Sequence, residues 1–532
     1  MPLIQGRQEW YEDICPLTDG IVTHFPAEIS PKGSTQDLDW FFETRRELRK
    51  TPGRLRRASL PGGGAVRGMH YHFAKANEDD FLLMHTTDRV FRTTDLNNFT
   101  QTLTGLSGLK RDLISYASVT IPTHNRVLWT DGVDAPKDMN ADTFTVADLI
   151  LPINVTHAKI VRFFKVRTIL IDVTESGVRE GQRVWYAAPA NSGTYDDWNS
   201  ANGAGNLEYS DGGGHVVQAV EFNDALVLFK EFRIGAMQHT GDELFPFRMQ
   251  DFPEVPGTLF PNSPVVTPRG VLYLAYDGVR LFDGQRSILI SGQTGFDIAA
   301  VAADVREAVV GSWDLRLQRY LLAIPGSGAS DNDTVWAFHF GTNEAQLISQ
   351  GQLYKRSQPV SVWGQFLRRT PMTLADLPVE LQRVPGELGD PALSGAFPVI
   401  VSGDYSGGVH EQELLTDDDG EAVHAHVEFG PFPKDPIMVA HIGKVLTEVR
   451  FRGKLASGSS MNVKVRPTHK STWTALPTPV AFQGDHFTVK VDGSGVEGEQ
   501  FFIRLEDMGQ YSWTRLHSMC LMGTHTGRPW KP

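Results

Sequence analysis

The sequence predicts an all-β protein: a β-propeller-like body, a C-terminal β-sandwich and an extended N-terminal arm. Three observations predict it. Asn-Asp and Asp-Gly pairs repeatedly separate short apolar runs, as at Asn223-Asp224, Asp277-Gly278 and Asp283-Gly284, and such pairs suit tight hairpins because a type I′ turn needs positive φ at both central positions. Units of several short strands recur at a spacing of roughly 40–55 residues, the signature of a propeller or similar array. The composition, with 51 Gly, 31 Pro, 30 Phe and 11 Trp in 532 residues, supplies many turns and aromatic strand faces.

Residues 1–60 differ in character from the rest of the chain. Asp19-Gly20 and Pro26 give an irregular start, and Arg45 to Arg57 is dense in charge. The segment reads as an extended docking arm with a short helix at Asp39–Lys50. From about residue 61 to residue 424 the strand units succeed one another. Phe81-Leu82-Leu83-Met84 leads to Thr87-Asp88 and Val90-Phe91, and Arg126-Val127-Leu128-Trp129 ends at Asp131-Gly132. Ile160 to Phe164 and Ile169 to Val173 lead to Val184-Trp185-Tyr186. Val216 to Phe222 returns through Leu226 to Phe229, and Val271 to Ala275 returns through Val279 to Phe282. Across the turn at 326–333, Val335 to Phe340 carries aromatics at every second position. Residues 367–395, with Pro371, Pro378, Pro385 and Pro391, break the pattern as an insertion. From 425 to 532, runs at Leu446–Phe451, Met461–Val465, Phe487–Val491 and Phe501–Leu505 suggest the sandwich, a platform for neighbours.

Charge and cysteine content narrow the function classes. The net charge is -13, from 63 acidic and 50 basic residues, which argues against a duplex-gripping protein. Cys15 and Cys520 alone give no disulfide framework or cysteine metal site. The N-terminus has no signal-peptide apolar core, and no apolar run approaches the ~18 residues that span a bilayer. Synthesis and folding in a cytoplasm are expected.

Each candidate site has a plain structural alternative. Arg45, Arg46, Arg49, Lys50, Arg54, Arg56 and Arg57 put seven cations in thirteen residues, a candidate contact for an acidic partner protein or, failing that, a solvated arm. His70 and His72 share one strand face with His85 as a third candidate metal ligand, although such pairs are mostly exposed strand residues. Asp417-Asp418-Asp419-Gly420-Glu421 and Asp331-Asn332-Asp333 resemble fragments of calcium loops but lack the twelve-residue spacing. Trp185, Tyr195 and Trp198 are the candidate aromatic platform for a glycan, with blade packing as the alternative. No nucleophile elbow, phosphate-binding Gly loop or HExxH motif occurs, so no catalytic residue, cofactor or metal is assigned and the chain is read as a non-enzyme.

Three blocks together resemble the β-propeller tail proteins of bacteriophages, above all the tail nozzle (tail tubular) proteins of short-tailed phages. The first runs from Pro16-Leu17-Thr18-Asp19-Gly20 through Lys32-Gly33-Ser34 and Trp40 to Leu48-Arg49-Lys50-Thr51-Pro52-Gly53; further arginines come after the Pro-Gly here. The second is Leu128-Trp129-Thr130-Asp131-Gly132-Val133-Asp134-Ala135-Pro136-Lys137. The third joins Gln182 to Pro189, Asp197-Trp198, Gly214-His215-Val216-Val217, Leu226 to Lys230, Arg233-Ile234, Gly278-Val279 and Phe282-Asp283-Gly284. The resemblance spans roughly residues 15–350. It implies a structural virion protein: a ring subunit, typically in six copies, that lines the channel for genome ejection. The implied partners are further copies of itself, the portal adaptor, other tail proteins including fibres, and viral DNA passing without sequence recognition. The implied location is the virion tail, assembled in the host cytoplasm. Two other readings stand beside it: a tail-tip or hub propeller that binds a receptor or glycan, and a propeller glycosidase, which needs paired carboxylates in a cleft.

Overall fold

The computed structural model describes residues 9–14, 36–38, 40–42, 48–62, 64–73, 80–190, 193–242, 245–291, 301, 303–326, 328–339, 352–368, 398–432, 442–455, 460–476, 480–481, 487–509 and 514–529. Among them the chain is almost entirely strand, and helix is confined to two short 3-10 segments, Ser200–Asn202 and Ala303–Ala308. Seven four-stranded antiparallel sheets succeed one another along the chain. The first holds Gly68–His72, Phe81–His85, Arg89–Thr93 and Thr100–Thr104. The second holds Ser115–Ile121, His124–Thr130, Lys137–Asn140 and Val146–Asp148. Val155–Phe164, Arg167–Glu175, Val178–Tyr186 and Gly205–Glu208 make the third. The fourth comprises Val216–Phe222, Ala225–Lys230, Ile234–His239 and Phe247–Phe252. Val265–Thr267, Gly270–Ala275, Gly278–Phe282 and Ser287–Leu289 form the fifth, and Val310–Asp314, Arg319–Pro325, Asn332–His339 and Gln352–Ser357 the sixth.

The seventh sheet is built differently. Val362–Phe366, Val399–Gly403 and Gly408–Leu415 supply three strands, and the fourth is Gly53–Ser59 from the N-terminal region. Gly53 is required at the start of that strand, because a Cβ there would lie 1.9 Å from the carbonyl oxygen of Asp417.

Within each sheet the chain meanders, so the first strands of successive sheets come side by side. The first strand of sheet one neighbours that of sheet two, the relation repeats through sheet seven, and sheet seven returns to sheet one. Every junction in this cycle contains an apolar cluster. Phe81, Leu83 and Val90 meet Val127, Trp129 and Met139 between sheets one and two. Val227, Phe229 and Ile234 meet Val271, Tyr273 and Phe282 between four and five. Val66, Met69, Leu82 and Met84 meet Val362, Val401 and Val409 where seven meets one. Second strands such as Phe81–His85 and Gly270–Ala275 are buried at every position. Covered on both faces, they read as continuous apolar runs and not as alternations.

The hairpin signals resolve at residue level. Asn223 and Asp224 take φ of 49° and 61°, as a type I′ turn demands, and they join the paired strands of sheet four. At Asp277-Gly278 the expected frame is off by one. Ala275 pairs with Gly278, so the loop is Tyr276-Asp277, and the positive φ, 136°, falls on Gly278 alone. A Cβ on Gly278 would meet the Ser291 hydroxyl at 2.3 Å.

Two six-stranded sheets hold the chain ends. In one, Thr514–Pro529 pairs with Glu9–Ile14, Leu48–Lys50 and Ile442–Leu455, with Trp40–Phe42 and Phe487–Gly498 outside them. The other runs Gln36–Leu38, Ala425–Phe432, Phe501–Asp507, Ser460–Pro467 and Thr474–Ala475, with Val480–Ala481 also on Ser460–Pro467. Val427, Phe429, Ile503 and Leu505 of one share a core with Leu446, Val449, Phe451 and Leu521 of the other.

The described parts of the expected N-terminal arm are therefore strands built into these sheets and into sheet seven. The expected helix at 39–50 is corrected on its described residues, since Trp40–Phe42 and Leu48–Lys50 form an antiparallel pair. Edge pairing to Thr514–Pro529 satisfies the backbone where an isolated short helix would be marginal. The proline-rich stretch lies outside the described residues beyond Arg368.

Candidate functional site

A cavity of about 460 Å³ lies among the first strands, the ones that adjoin one another around the cycle of sheets. First strands of several sheets reach it: His70, Ser115, His157, Lys159 and Gln218 line it. His157 and Lys159 are two apart on one strand and so share a face. Asn262 and Glu307 enter from the connections flanking sheets five and six.

Charges around the cavity are paired locally. Lys159 Nζ donates to Glu307 at 2.6 Å, and Arg179 donates to Asp172 through Nε at 2.7 Å and Nη2 at 2.5 Å. Asp131 accepts from the buried Arg67 at 3.2 Å. Arg162 differs, because its partners are neutral. Nε donates to the Ala219 carbonyl (2.7 Å), Nη1 to Ser115 Oγ (2.7 Å) and the carbonyls of Tyr116 (3.2 Å) and Val161 (2.6 Å), and Nη2 to Gln218 Oε1 (2.6 Å). It ties sheets two, three and four together, and burial pushes its pKa down to about 10.

A strap of ion pairs links distant parts of the cycle. Lys110 and Arg111, between sheets one and two, reach Asp331 (2.5 Å), Asp304 (3.3 Å) and the Ser330 carbonyl (2.9 Å) around sheet six. Arg111, Leu113 and Ile114 of this strap also line the cavity.

The histidines weighed as candidate metal ligands are engaged in hydrogen bonds. His70 Nε2 and His72 Nδ1 share Ser118 Oγ at 2.8 and 3.0 Å, and His72 Nε2 meets Asn125 Oδ1 at 2.7 Å. His85 Nδ1 and the Tyr116 hydroxyl share a hydrogen bond at 2.6 Å. Burial, then His72 and Arg162, drive His70 down to about 3, and burial likewise lowers His72 and His85. No cluster of three metal-ligating side chains occurs among the described residues.

The basic run does not present itself as one patch. Arg45 and Arg46 lie outside the described residues, and Arg49 sits in the Leu48–Lys50 strand beside Arg515. Lys50 is buried against Asp507 at 3.1 Å and the Gly509 carbonyl at 3.0 Å. Arg54 pairs with Asp418 at 2.6 Å, and Arg57 with Glu411 at 2.5 Å. Arg56 is exposed. Lys50, Arg54 and Arg57 thus neutralise carboxylates within the chain. The acidic turn at 417–421 supplies one of those carboxylates, and Asp419 Oδ1 accepts from the Arg56 backbone N–H at 3.3 Å.

Trp185, Tyr195 and Trp198 pack between sheets two and three. Tyr195 donates to Asp138 at 2.5 Å, and Trp198 Nε1 donates to the Ile150 carbonyl at 2.8 Å. They form packing and not an open platform.

Sequence reasoning missed a buried ionic hub. Glu413, held at φ 61°, pairs with Arg316 at 2.6 Å and also with Arg319 and Arg356. Arg319 reaches Asp314 at 2.9 Å, and Glu411 takes Arg368 at 2.5 Å besides Arg57. The dense Glu411-Gln412-Glu413 stretch inside a strand-like run was the available signal. Compared with known proteins, the sequence matches no family model and no curated protein.

Proposed function

We propose that the seven sheets form a seven-bladed β-propeller, that the two six-stranded sheets form a sandwich beside it, and that the chain is a structural virion protein, a ring-forming subunit of a phage tail nozzle. The cyclic order of seven sheets, closed by a strand from the N-terminal region, carries this reading. Such a body is rigid and has protected edges, as a wall under mechanical load requires. Closed cyclic symmetry converts one repeated interface into a tube. The strap of Lys110 and Arg111 ties the connection between sheets one and two to the region of sheet six, and in this reading DNA passes through a lumen enclosed by several copies and not through one propeller. The net charge of -13 suits a lumen that does not adhere to DNA.

Mass photometry and negative-stain imaging of the purified full chain test the reading. The expected result is a closed ring, six copies being the first expectation. A protein that stays monomeric at high micromolar concentration, alone and with its tail partners, overturns it.

A further inference from the structure

We propose that the strapped cavity is a binding site for an uncharged polyhydroxyl ligand, a mono- or disaccharide. The proposal rests on the cavity alone and stands whether or not the chain forms a ring. About 460 Å³ is within the range of small-molecule sites. The chemistry of the wall selects among ligands. An apolar molecule would shut His157 Nε2 and the further ammonium protons of Lys159 away from water with nothing to bond, which is costly.

An anion is a poor match as well. Lys159 and Arg179 already carry carboxylates, Glu307 and Asp172, that face the same space. Arg111 of the strap carries Asp304. The remaining cation, Arg162, is surrounded by five neutral acceptors. A cation in turn meets ammonium and guanidinium groups on the same wall. What remains satisfied is a neutral molecule with many hydroxyls, each able to donate to a carboxylate and accept from a cation or imidazole. His157 is placed for this: Nδ1 meets Thr156 Oγ1 at 2.9 Å, while Nε2 has no protein partner among the described residues. Lys159 makes one side-chain bond, leaving further ammonium protons for a ligand. The strap above, held by ion pairs, encloses the site from one side.

Ligand-observed NMR and calorimetry on the full chain, with a panel of neutral mono- and disaccharides and with inorganic phosphate, decide the matter. At least one saccharide is expected to bind, and phosphate is not. His157→Ala and Lys159→Met are each expected to weaken that saccharide about three- to tenfold, the effect of one lost hydrogen bond, with melting unchanged. Should Lys159→Met lower the melting temperature, His157→Ala alone serves as the test. Absence of saccharide binding at tens of millimolar overturns the proposal. So does phosphate binding in place of sugar, or native affinity in the His157→Ala protein.

Discussion

Sheets four and five share a core of hydrocarbon and aromatic rings, with Phe229 against Tyr273 at 5.1 Å between ring centres. Sheets six and seven meet through apolar side chains and, beside them, through Glu413 of sheet seven with Arg316, Arg319 and Arg356 around sheet six. The first pair is consecutive in the chain, so a short connection brings the faces together and shape complementarity suffices. The second junction adds a strand, Gly53–Ser59, that arrives from the far end of the chain. Buried charges penalise every arrangement that leaves one unpaired, and we interpret the ionic hub as the device that sets the register of this distant strand.

The comparison can be broken by substitution. The largest expected effect is Phe229→Ala, which empties a fully buried site and costs about 4 kcal/mol in urea unfolding. Glu413→Ala, expected at about 3 kcal/mol, removes the carboxylate shared by three arginines. If the hub sets register, this variant also loosens Gly53–Ser59, seen as faster hydrogen exchange there, and Phe229→Ala does not. Equal exchange in the two variants would sink the register interpretation.

Acid sharpens the contrast. Burial opposes charge on Asp404, but hydrogen bonds from His410, Gly408 and Ser406 outweigh it and hold the carboxyl well below its usual range. A carboxylate depressed in the fold stabilises above its unfolded pKa, and that contribution disappears as pH falls through the folded value. Asp404→Asn is therefore expected to cost about 2 kcal/mol at neutral pH and progressively less below about pH 4. His70 has the same pH sense from an opposite charge change. Its neutral form is favoured in the fold, so its contribution is present above about pH 6.5 and declines toward about 3. His70→Gln should flatten stability in that window, measured by melting temperature against pH. The smallest effect is expected at Arg56→Ala, within about 0.5 kcal/mol, because its side chain is exposed.

The parts of the fold legible in the sequence were those carried by local chemistry. Asn223-Asp224 announced its turn, and Phe501–Leu505 its strand. The strands at 36–38, 40–42 and 48–50 were not legible, because three residues carry no usable period and the pairings of 36–38 and 48–50 reach to residues beyond 420. For the same reason the density of cations at 45–57 was visible while Asp507, Asp418 and Glu411, which neutralise three of them, were not. The cavity left no trace in the linear pattern: Lys159 and Glu307 meet across 148 positions with no motif at either.

The borrowed strand of sheet seven has a consequence for biosynthesis. Gly53–Ser59 leaves the ribosome early, yet its partner Gly408–Leu415 emerges only after several hundred further residues, tens of seconds later at ordinary elongation rates. Until then its backbone amides and carbonyls offer an open pairing edge. The nascent protein thus carries this edge unpaired until its seventh sheet is translated, an interval in which a holdase chaperone would protect it.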